Sequence, residues 1–309
     1  MNRYVRQEIF IGKNSQKKLE NSKVCIVGVG ALGTLSASLL VRAGIKELVL
    51  IDRDHIELDN LPRQHLFTEK DVGKLKVEVA KARLNEINGD IKITSIFDNL
   101  DHTNIDLIKS SVVLDCTDNF ETRFLINDYC SLNKIHWIHA SAVRSKGYVL
   151  NVFPGGPCFN CVFANLNAFG NCESLGVLSS ITSLISSVQV SECLKVLISD
   201  KFEKSLMSFD LSDNQFDKIK IGKGDCSVCS GNYEYLSGNK VSKIINLCGR
   251  KSYIVYSKNK INDLKKLFKG IVDYGSAFRY KEITVFRDKV LIKADSKKKA
   301  LSLFNKYLG

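Results

Sequence analysis

The chain has 309 residues, 44% apolar and 25% charged, which excludes a disordered tail, a collagen-like repeat and a coiled-coil rod. Its 45 basic and 33 acidic residues give a formal net charge of +12. Residues 1–231 hold 27 of each sign, whereas residues 232–309 hold 18 basic and 6 acidic, so a neutral body carries a basic appendage. Ten cysteines are too few for a disulfide-packed secreted scaffold. Residues 1–8 lack the apolar core of a signal peptide, and the uncharged stretch 174–191 is too rich in serine to span a bilayer. We expect a cytoplasmic, soluble protein without membrane association, whose clustered cysteines serve metal or catalysis.

In chain order, the β-branched run Lys23–Val27 predicts a strand. Gly28-Val29-Gly30-Ala31-Leu32-Gly33 reads as a turn, and Leu35, Leu39 and Leu40 recur behind it at helical spacing. Residues 47–51 predict a second strand ending at Asp52, 72–87 a helix, 92–96 a strand and 111–115 a buried strand. Alternation of this kind predicts an α/β fold, a Rossmann-like, mostly parallel sheet covered on both faces. Near 230–240 Gly231, Asn232, Gly238 and Asn239 read as a linker. Beyond it, strands at 241–247, 253–257, 282–287 and 290–293 and helices at 261–269 and 296–307 predict a small α+β domain. The domain division expected is therefore 1–231 and 232–309.

The glycine turn has the context a G-x-G-x-x-G motif requires: strand before, helix after, and an acid 19 positions beyond Gly33. Gly28, Gly30 and Gly33 let backbone approach phosphate at a helix N-terminus, with Ala31 inside the turn. Asp52 is placed to accept from ribose hydroxyls. The dense polar loop that follows fits ATP better than NAD. It carries Asp54, Asn60, Arg63 and Gln64, and the Arg63 guanidinium can grip phosphate oxygens with two donors. Lys76, three residues after Gly73, is a second phosphate partner. Asp118 and Asn119 follow the 111–115 strand at the edge where open α/β sheets bind ligands, and Asp118 there suits Mg²⁺ beside a triphosphate. The plainer readings are a packed turn without ligand for the glycines and a helix N-cap for Asp118.

Arg3-Tyr4-x-Arg6-Gln7, the glycine turn, Asp52-x-Asp54, Asn60-Leu61-x-Arg63-Gln64, Gly73-x-x-Lys76 and Asp115-Cys116-Thr117-Asp118-Asn119 occur in this order. Over about residues 2–231 the chain thereby resembles the ThiF/MoeB/HesA-type adenylyltransferases, relatives of the ubiquitin-activating enzymes. It departs from their pattern at Ala31, where Gly is usual, at Asp59, where Ser is common, and at Ser180, Ser183 and Ser186, where Pro and Gly are usual. The resemblance implies attack of a carrier protein's C-terminal glycine carboxylate on the α-phosphate of ATP, giving a carrier acyl-adenylate and pyrophosphate. The carrier it implies is a small ubiquitin-like sulfur-carrier protein ending in Gly-Gly, in thiamine, molybdopterin or tRNA-thiolation chemistry. A cysteine desulfurase or another sulfur donor would be a further partner. Arg6 is implied to reach into the partner protomer's site, making a homodimer functional. Arg63, Lys76 and Mg²⁺ on Asp118 would supply positive charge to the reaction.

Cys158-Phe159-Asn160-Cys161 and Cys226-Ser227-Val228-Cys229 are two C-x-x-C knuckles, four thiolates suited to one structural Zn²⁺. Cys172 lies in the Asn- and Gly-rich stretch 165–176, and the family resemblance offers it as an acceptor of the activated carrier. An unreactive loop thiol is the alternative, since Glu173 beside it disfavours the thiolate. Cys25, Cys116, Cys130 and Cys193 read as buried small apolar residues. His139 reads as a satisfied core histidine, and Cys248-Gly249-Arg250 is too short a context for a sulfurtransferase loop.

Other functions stay open at this level: adenylylation of another substrate such as a tRNA-attached carboxyl group, an NAD-binding dehydrogenase or redox-sensing regulator, and a non-enzymatic docking scaffold. The appendage reads as a solvated surface, an attractor of an acidic carrier or an attractor of tRNA. It holds no RNA-binding motif, so nucleic acid is the less favoured partner.

Overall fold

Five β-branched or apolar runs form the parallel part of an eight-stranded sheet. A computed structural model describes residues 2–163, 175–199, 201–240, 244–247, 252–257, 261–287 and 289–308. The parallel strands are β1 (Lys23–Val27), β2 (Glu47–Asp52), β3 (Lys92–Phe97), β4 (Val112–Asp115) and β5 (His136–Val143). β1 lies between β2 and β4 and is buried at four of its five positions, which is why it reads as an unbroken apolar run. The order β3-β2-β1-β4-β5 is then extended by β6 (Lys146–Val152), β7 (Leu206–Asp210) and β8 (Gln215–Ile219), all antiparallel to their neighbours. β8 is exposed along its whole length, an edge strand without the alternation that marks a strand in sequence.

Seven helices accompany this sheet among the described residues: α1 (Val5–Ile11), α2 (Lys13–Leu19), α3 (Gly33–Ala43), α4 (Lys76–Ile87), α5 (Phe120–Asn133), α6 (Phe159–Phe163) and α7 (Ser179–Ile198). The helical spacing from residue 72 overshoots α4, because Gly73 turns the backbone at φ +87° and separates it from the single turn at Glu69–Asp71. α7 is long and apolar enough to cross a membrane by length and composition alone. Its buried Ser186, Gln189 and Glu192 instead bond to groups outside the helix, as in a central helix. One core gathers Cys25, Val27, Val113, Ile126, Trp137, Leu150 and Phe159, and Tyr233, Tyr235 and Leu236 pack against it.

A second compact unit begins at Gly238, and the first ends at Ser237. It contains β9 (Ile244–Leu247), β10 (Ser252–Tyr256), α8 (Ile261–Leu267), β11 (Val272–Asp273), β12 (Phe278–Tyr280), β13 (Ile283–Val285), β14 (Lys289–Lys293) and α9 (Lys297–Leu308). Its sheet is antiparallel in the order β11-β12-β13-β14-β10-β9. Tyr253, Val255, Phe278, Ile283, Val285, Val290 and Ile292 form its core, with Leu264 and Ala300 from the helices.

Candidate active site

Because β1, β2 and β4 run parallel, the loops that leave them share one edge of the sheet. Gly28 sits at φ +92°, and a Cβ there would meet the Cys116 carbonyl oxygen at 2.6 Å. A Cβ on Gly33 would meet the Gly28 carbonyl oxygen at 1.9 Å. Only glycine lets this turn close on itself and lie against the loop after β4. Gly30 differs, for a Cβ on it would find only Gln64 Nε2, at 3.8 Å, so that side of the turn is open. Ala31 is half-buried within the turn.

The Asp52 carboxylate ties the turn to β2, since Oδ2 accepts from Val29 N at 2.6 Å and Oδ1 from Asp54 N at 2.8 Å. This backbone duty adds to the ribose role expected from sequence. Asp54 in turn places Lys76, whose Nζ lies 3.7 Å from Asp54 Oδ2 and whose N donates to Asp54 O at 3.0 Å. Lys76 is 1% exposed, so its ammonium is held in place rather than waving in solvent. Asn60, also buried, accepts from Glu57 N at 3.3 Å and donates to Asp59 Oδ1 at 2.9 Å. Arg63 Nη1 donates to the Asp59 carbonyl at 2.6 Å, a contact any residue at 59 could offer, which explains why Asp is accommodated there. Gln64 is buried, and its Oε1 has no hydrogen-bond partner among the described residues.

The loop after β4 hangs on Asp115, which is fully buried. Its Oδ1 accepts from Thr117 N at 2.9 Å and Thr117 Oγ1 at 2.6 Å. Its Oδ2 meets His139 Nδ1 at 2.7 Å and Arg123 Nε at 3.5 Å, while Arg123 Nη2 donates to Thr117 O at 2.5 Å. Burial works to raise the Asp115 pKa, but the His139 hydrogen bond and the Arg123 charge hold it below the usual carboxylate range. Burial pushes the His139 pKa down, so its neutral ring donates from Nδ1 to Asp115 and accepts at Nε2 from Ser141 Oγ at 3.1 Å. His139 is thus a structural partner of the loop, as its sequence context predicts. Asn119 Oδ1 accepts from Thr122 N at 2.9 Å and so caps α5. Asp118 is relieved of capping and stands exposed at the sheet edge. On the first turn of α5, burial pushes the Glu121 carboxyl up to about 7 against the pull of Arg53.

Sequence reading missed the support behind these loops. Gln189 of α7 donates to Asp115 O at 3.0 Å and Ile138 O at 2.9 Å, and its Oε1 accepts from Ser36 at 3.1 Å. Ser186 donates to Leu32 O at 3.0 Å and Thr182 O at 2.8 Å, and Ser183 meets His65 Nε2 at 3.0 Å. Two of the three serines that depart from the family pattern, Ser183 and Ser186, therefore have partners here, while Ser180 is exposed. Only polar residues inside an apolar helix could have signalled this role.

Cys158, Cys161, Cys226 and Cys229 converge, with Sγ–Sγ separations of 3.5–3.7 Å across five of their pairs. Thiolates about 2.3 Å from a tetrahedral zinc stand roughly 3.8 Å apart, so the cluster fits that ion. Gly224 N and Cys229 N point at Cys161 Sγ and Cys226 Sγ at 3.2 and 3.5 Å, neutralising part of the thiolate charge. α5 holds the first knuckle and the segment that follows the second. Asn127 accepts from Phe159 N at 2.9 Å and donates to Asn160 at 3.2 Å, while Asp128 accepts from Tyr235 N at 2.9 Å and Leu236 N at 3.2 Å.

Arg6 is exposed on α1, a helix with no buried residue, beside Ile9 at 75% and Phe10 at 91% exposure. Cys172, with most of its 165–176 stretch, and Cys248-Gly249-Arg250 lie outside the described residues.

These features define the class, a Rossmann-like, mostly parallel α/β protein with a four-cysteine metal-type cluster. The ThiF family model matches residues 4–230, and the chain belongs to the ThiF family. It is 38% identical over 278 residues to the sulfur carrier protein ThiS adenylyltransferase of Bacillus subtilis (strain 168), covering 86% of this chain and 83% of that one. It is 32% identical over 239 residues to the SAMP-activating enzyme E1 of Haloferax volcanii, covering 74% and 88%. The adenylyltransferase and sulfurtransferase MOCS3 of Aedes aegypti is 39% identical over 242 residues, but the match spans only 55% of that protein. Among solved structures, E. coli MccB with ATP aligns at a TM-score of 0.65 and 26% identity, over 74% of each chain.

Proposed function

We propose that this protein uses ATP to adenylylate the C-terminal glycine of a small ubiquitin-like sulfur carrier, and that the carrier is of the ThiS type. The observation that carries the reading is the direct contact of the glycine turn with the loop bearing Asp118, beside buried Lys76. The ThiS preference rests on the Bacillus subtilis relative, whose match over 86% of the chain has to extend past residue 231.

In this reading the carrier carboxylate oxygen bonds to the α-phosphorus, the bond from that phosphorus to the bridging oxygen breaks, and pyrophosphate leaves. No base is needed, because a carboxyl group is ionised at neutral pH. Backbone N–H groups of the Gly28–Gly33 turn and the α3 N-terminus receive phosphate, and Asp52 faces the ribose. Arg63 and Lys76 offset the charge that gathers on the leaving pyrophosphate, and Gln64, with an unspent buried acceptor, orients the bound nucleotide. Asp118 and Asn119 border the phosphates. Mg²⁺ held by Asp118 would add charge neutralisation there. Cys158, Cys161, Cys226 and Cys229 would hold a structural Zn²⁺ with no position left for substrate. Arg6, beside exposed Ile9 and Phe10, completes the site of a second copy in a cytoplasmic homodimer. A cysteine desulfurase or other sulfur donor acts on the adenylated carrier.

Exchange of labelled pyrophosphate into ATP, run with a panel of purified Gly-Gly-terminated carriers, tests this. ThiS-type carriers should support exchange and a carrier lacking its last glycine should not. Exchange with no carrier dependence would overturn the reading.

A further inference from the structure

Three elements of the C-terminal unit end at one aromatic cluster. Phe268 follows α8, Tyr280 ends β12 and Tyr307 lies in the last turn of α9. Their ring centroids are 4.7 Å apart for Phe268 and Tyr280, 5.6 Å for Tyr280 and Tyr307, and 6.4 Å for Phe268 and Tyr307. Each ring has an exposed lysine next to it in sequence: Lys269 follows Phe268, Lys281 follows Tyr280 and Lys306 precedes Tyr307. The Lys281 ammonium lies over the Tyr280 ring at 5.2 Å, and that of Lys306 over the Tyr307 ring at 5.3 Å. Packing of the rings therefore gathers charges that are far apart in sequence, and the ring faces restrain two ammoniums that would otherwise sample many rotamers. The exposed acid on the same turn is Glu282, and the ion pairs given for this unit's described residues, Lys265–Asp273 and Lys299–Asp295, involve none of the three lysines.

We infer that Lys269, Lys281 and Lys306 form a docking surface for an acidic face of the carrier protein, an inference that rests on the function proposed above. Charge alone would also suit RNA. The ring faces decide against it, because a base stacks on an open aromatic face, whereas Tyr280 and Tyr307 are half-buried and carry a lysine each. Carboxylates need only the outward N–H groups of the ammoniums. Such a surface acts by steering: it raises the encounter rate of an acidic partner, its effect falls with salt, and it leaves the chemistry of a bound carrier alone. Covalent connection to the catalytic unit turns capture into a higher local carrier concentration.

The test uses the full-length chain carrying Lys269→Glu, Lys281→Glu and Lys306→Glu, with the Lys→Gln triple variant as an intermediate and thermal melts as the folding control. With purified ThiS as carrier, KM for the carrier at low salt should rise roughly ten-fold in the Glu variant and less in the Gln variant. The difference should shrink at high salt, with KM for ATP and kcat unchanged. An unchanged carrier KM across the salt series overturns the docking surface. So does a carrier KM that stays high at every salt, or tRNA binding by the native chain that the Glu variant loses. If the native chain shows no carrier-dependent exchange, the proposed function itself fails; native exchange with an unaltered variant KM removes this inference alone.

Discussion

Two aspartates three residues apart do opposite work. Asp115 is buried and holds Thr117, His139 and Arg123, while Asp118 is exposed and Asn119 takes the capping bond. Asp118→Ala should therefore abolish pyrophosphate exchange while shifting stability by no more than about 0.5 kcal/mol. A folded variant with normal exchange would remove Asp118 from the site. Asp115→Ala strands a buried guanidinium and a buried imidazole, and unfolding in urea should show a loss of about 3–5 kcal/mol. Glu121 gives a pH signature. Its folded pKa, about 7, lies above the ordinary value of 4.5, so the folded state binds its proton more tightly. Its contribution to stability is present below about pH 4.5 and is lost as pH rises through 7. Glu121→Gln should flatten that part of the stability profile, and an unchanged difference between pH 5 and 7.5 would contradict the assignment. At this scale the glycines and cysteines were readable, because backbone geometry at Gly28 and Gly33 admits no side chain and paired thiols have few other uses. Asp118 and Asn119 were not separable, since either side chain can cap a helix. Gln189 and Ser186 gave no signal because the Asp115, Ile138 and Leu32 carbonyls they bond are distant in sequence, and the load on Asp115 was hidden because His139 and Arg123 meet it only in the fold.

α5 links the candidate site to the cysteine cluster. Asn119 caps it, Arg123 braces the loop, Asn127 holds the first knuckle and Asp128 holds Tyr235 and Leu236 beyond the second. Elemental analysis should find one zinc per chain. Cys226→Ser should lose that zinc and lower the melting temperature, because metal binding is folding energy at such a site. Through α5 it should also weaken Mg-ATP binding measured by titration. Zinc-free protein that melts at the same temperature would contradict the assignment. α1 leaves Ile9 and Phe10 to solvent beside Arg6. In the proposed homodimer, Phe10→Glu should shift sedimentation toward monomer and, like Arg6→Ala, should depress exchange. Parallel strands β1 to β4 were legible from apolar runs, but the antiparallel extension was not. β8 is exposed along its length, and β11 and β12 are only two and three residues long, too short for a period to emerge. The predicted helix from 72 ran long because apolar spacing continues across Gly73, where only the backbone conformation stops it.

As a whole, the molecule joins a charge-neutral catalytic unit to a basic one, and composition alone placed that change near residue 231. The first core reaches further along the chain. Tyr235 stacks on Phe124 at 5.1 Å, and Asp128 holds the backbone of Tyr235 and Leu236. A chain ending at residue 237 should fold and retain carrier-dependent exchange with a raised carrier KM at low salt, whereas one ending at 231 should melt lower. The central claim is formation of a carrier acyl-adenylate, and intact-mass spectrometry of the carrier reads it directly. Purified ThiS incubated with this protein and Mg-ATP, with no sulfur donor present, should gain the mass of one adenylyl group (AMP less water) on its C-terminal glycine and return to its original mass when pyrophosphate is added. ThiS that keeps its mass, while the protein hydrolyses ATP or binds NAD in its place, would contradict the account.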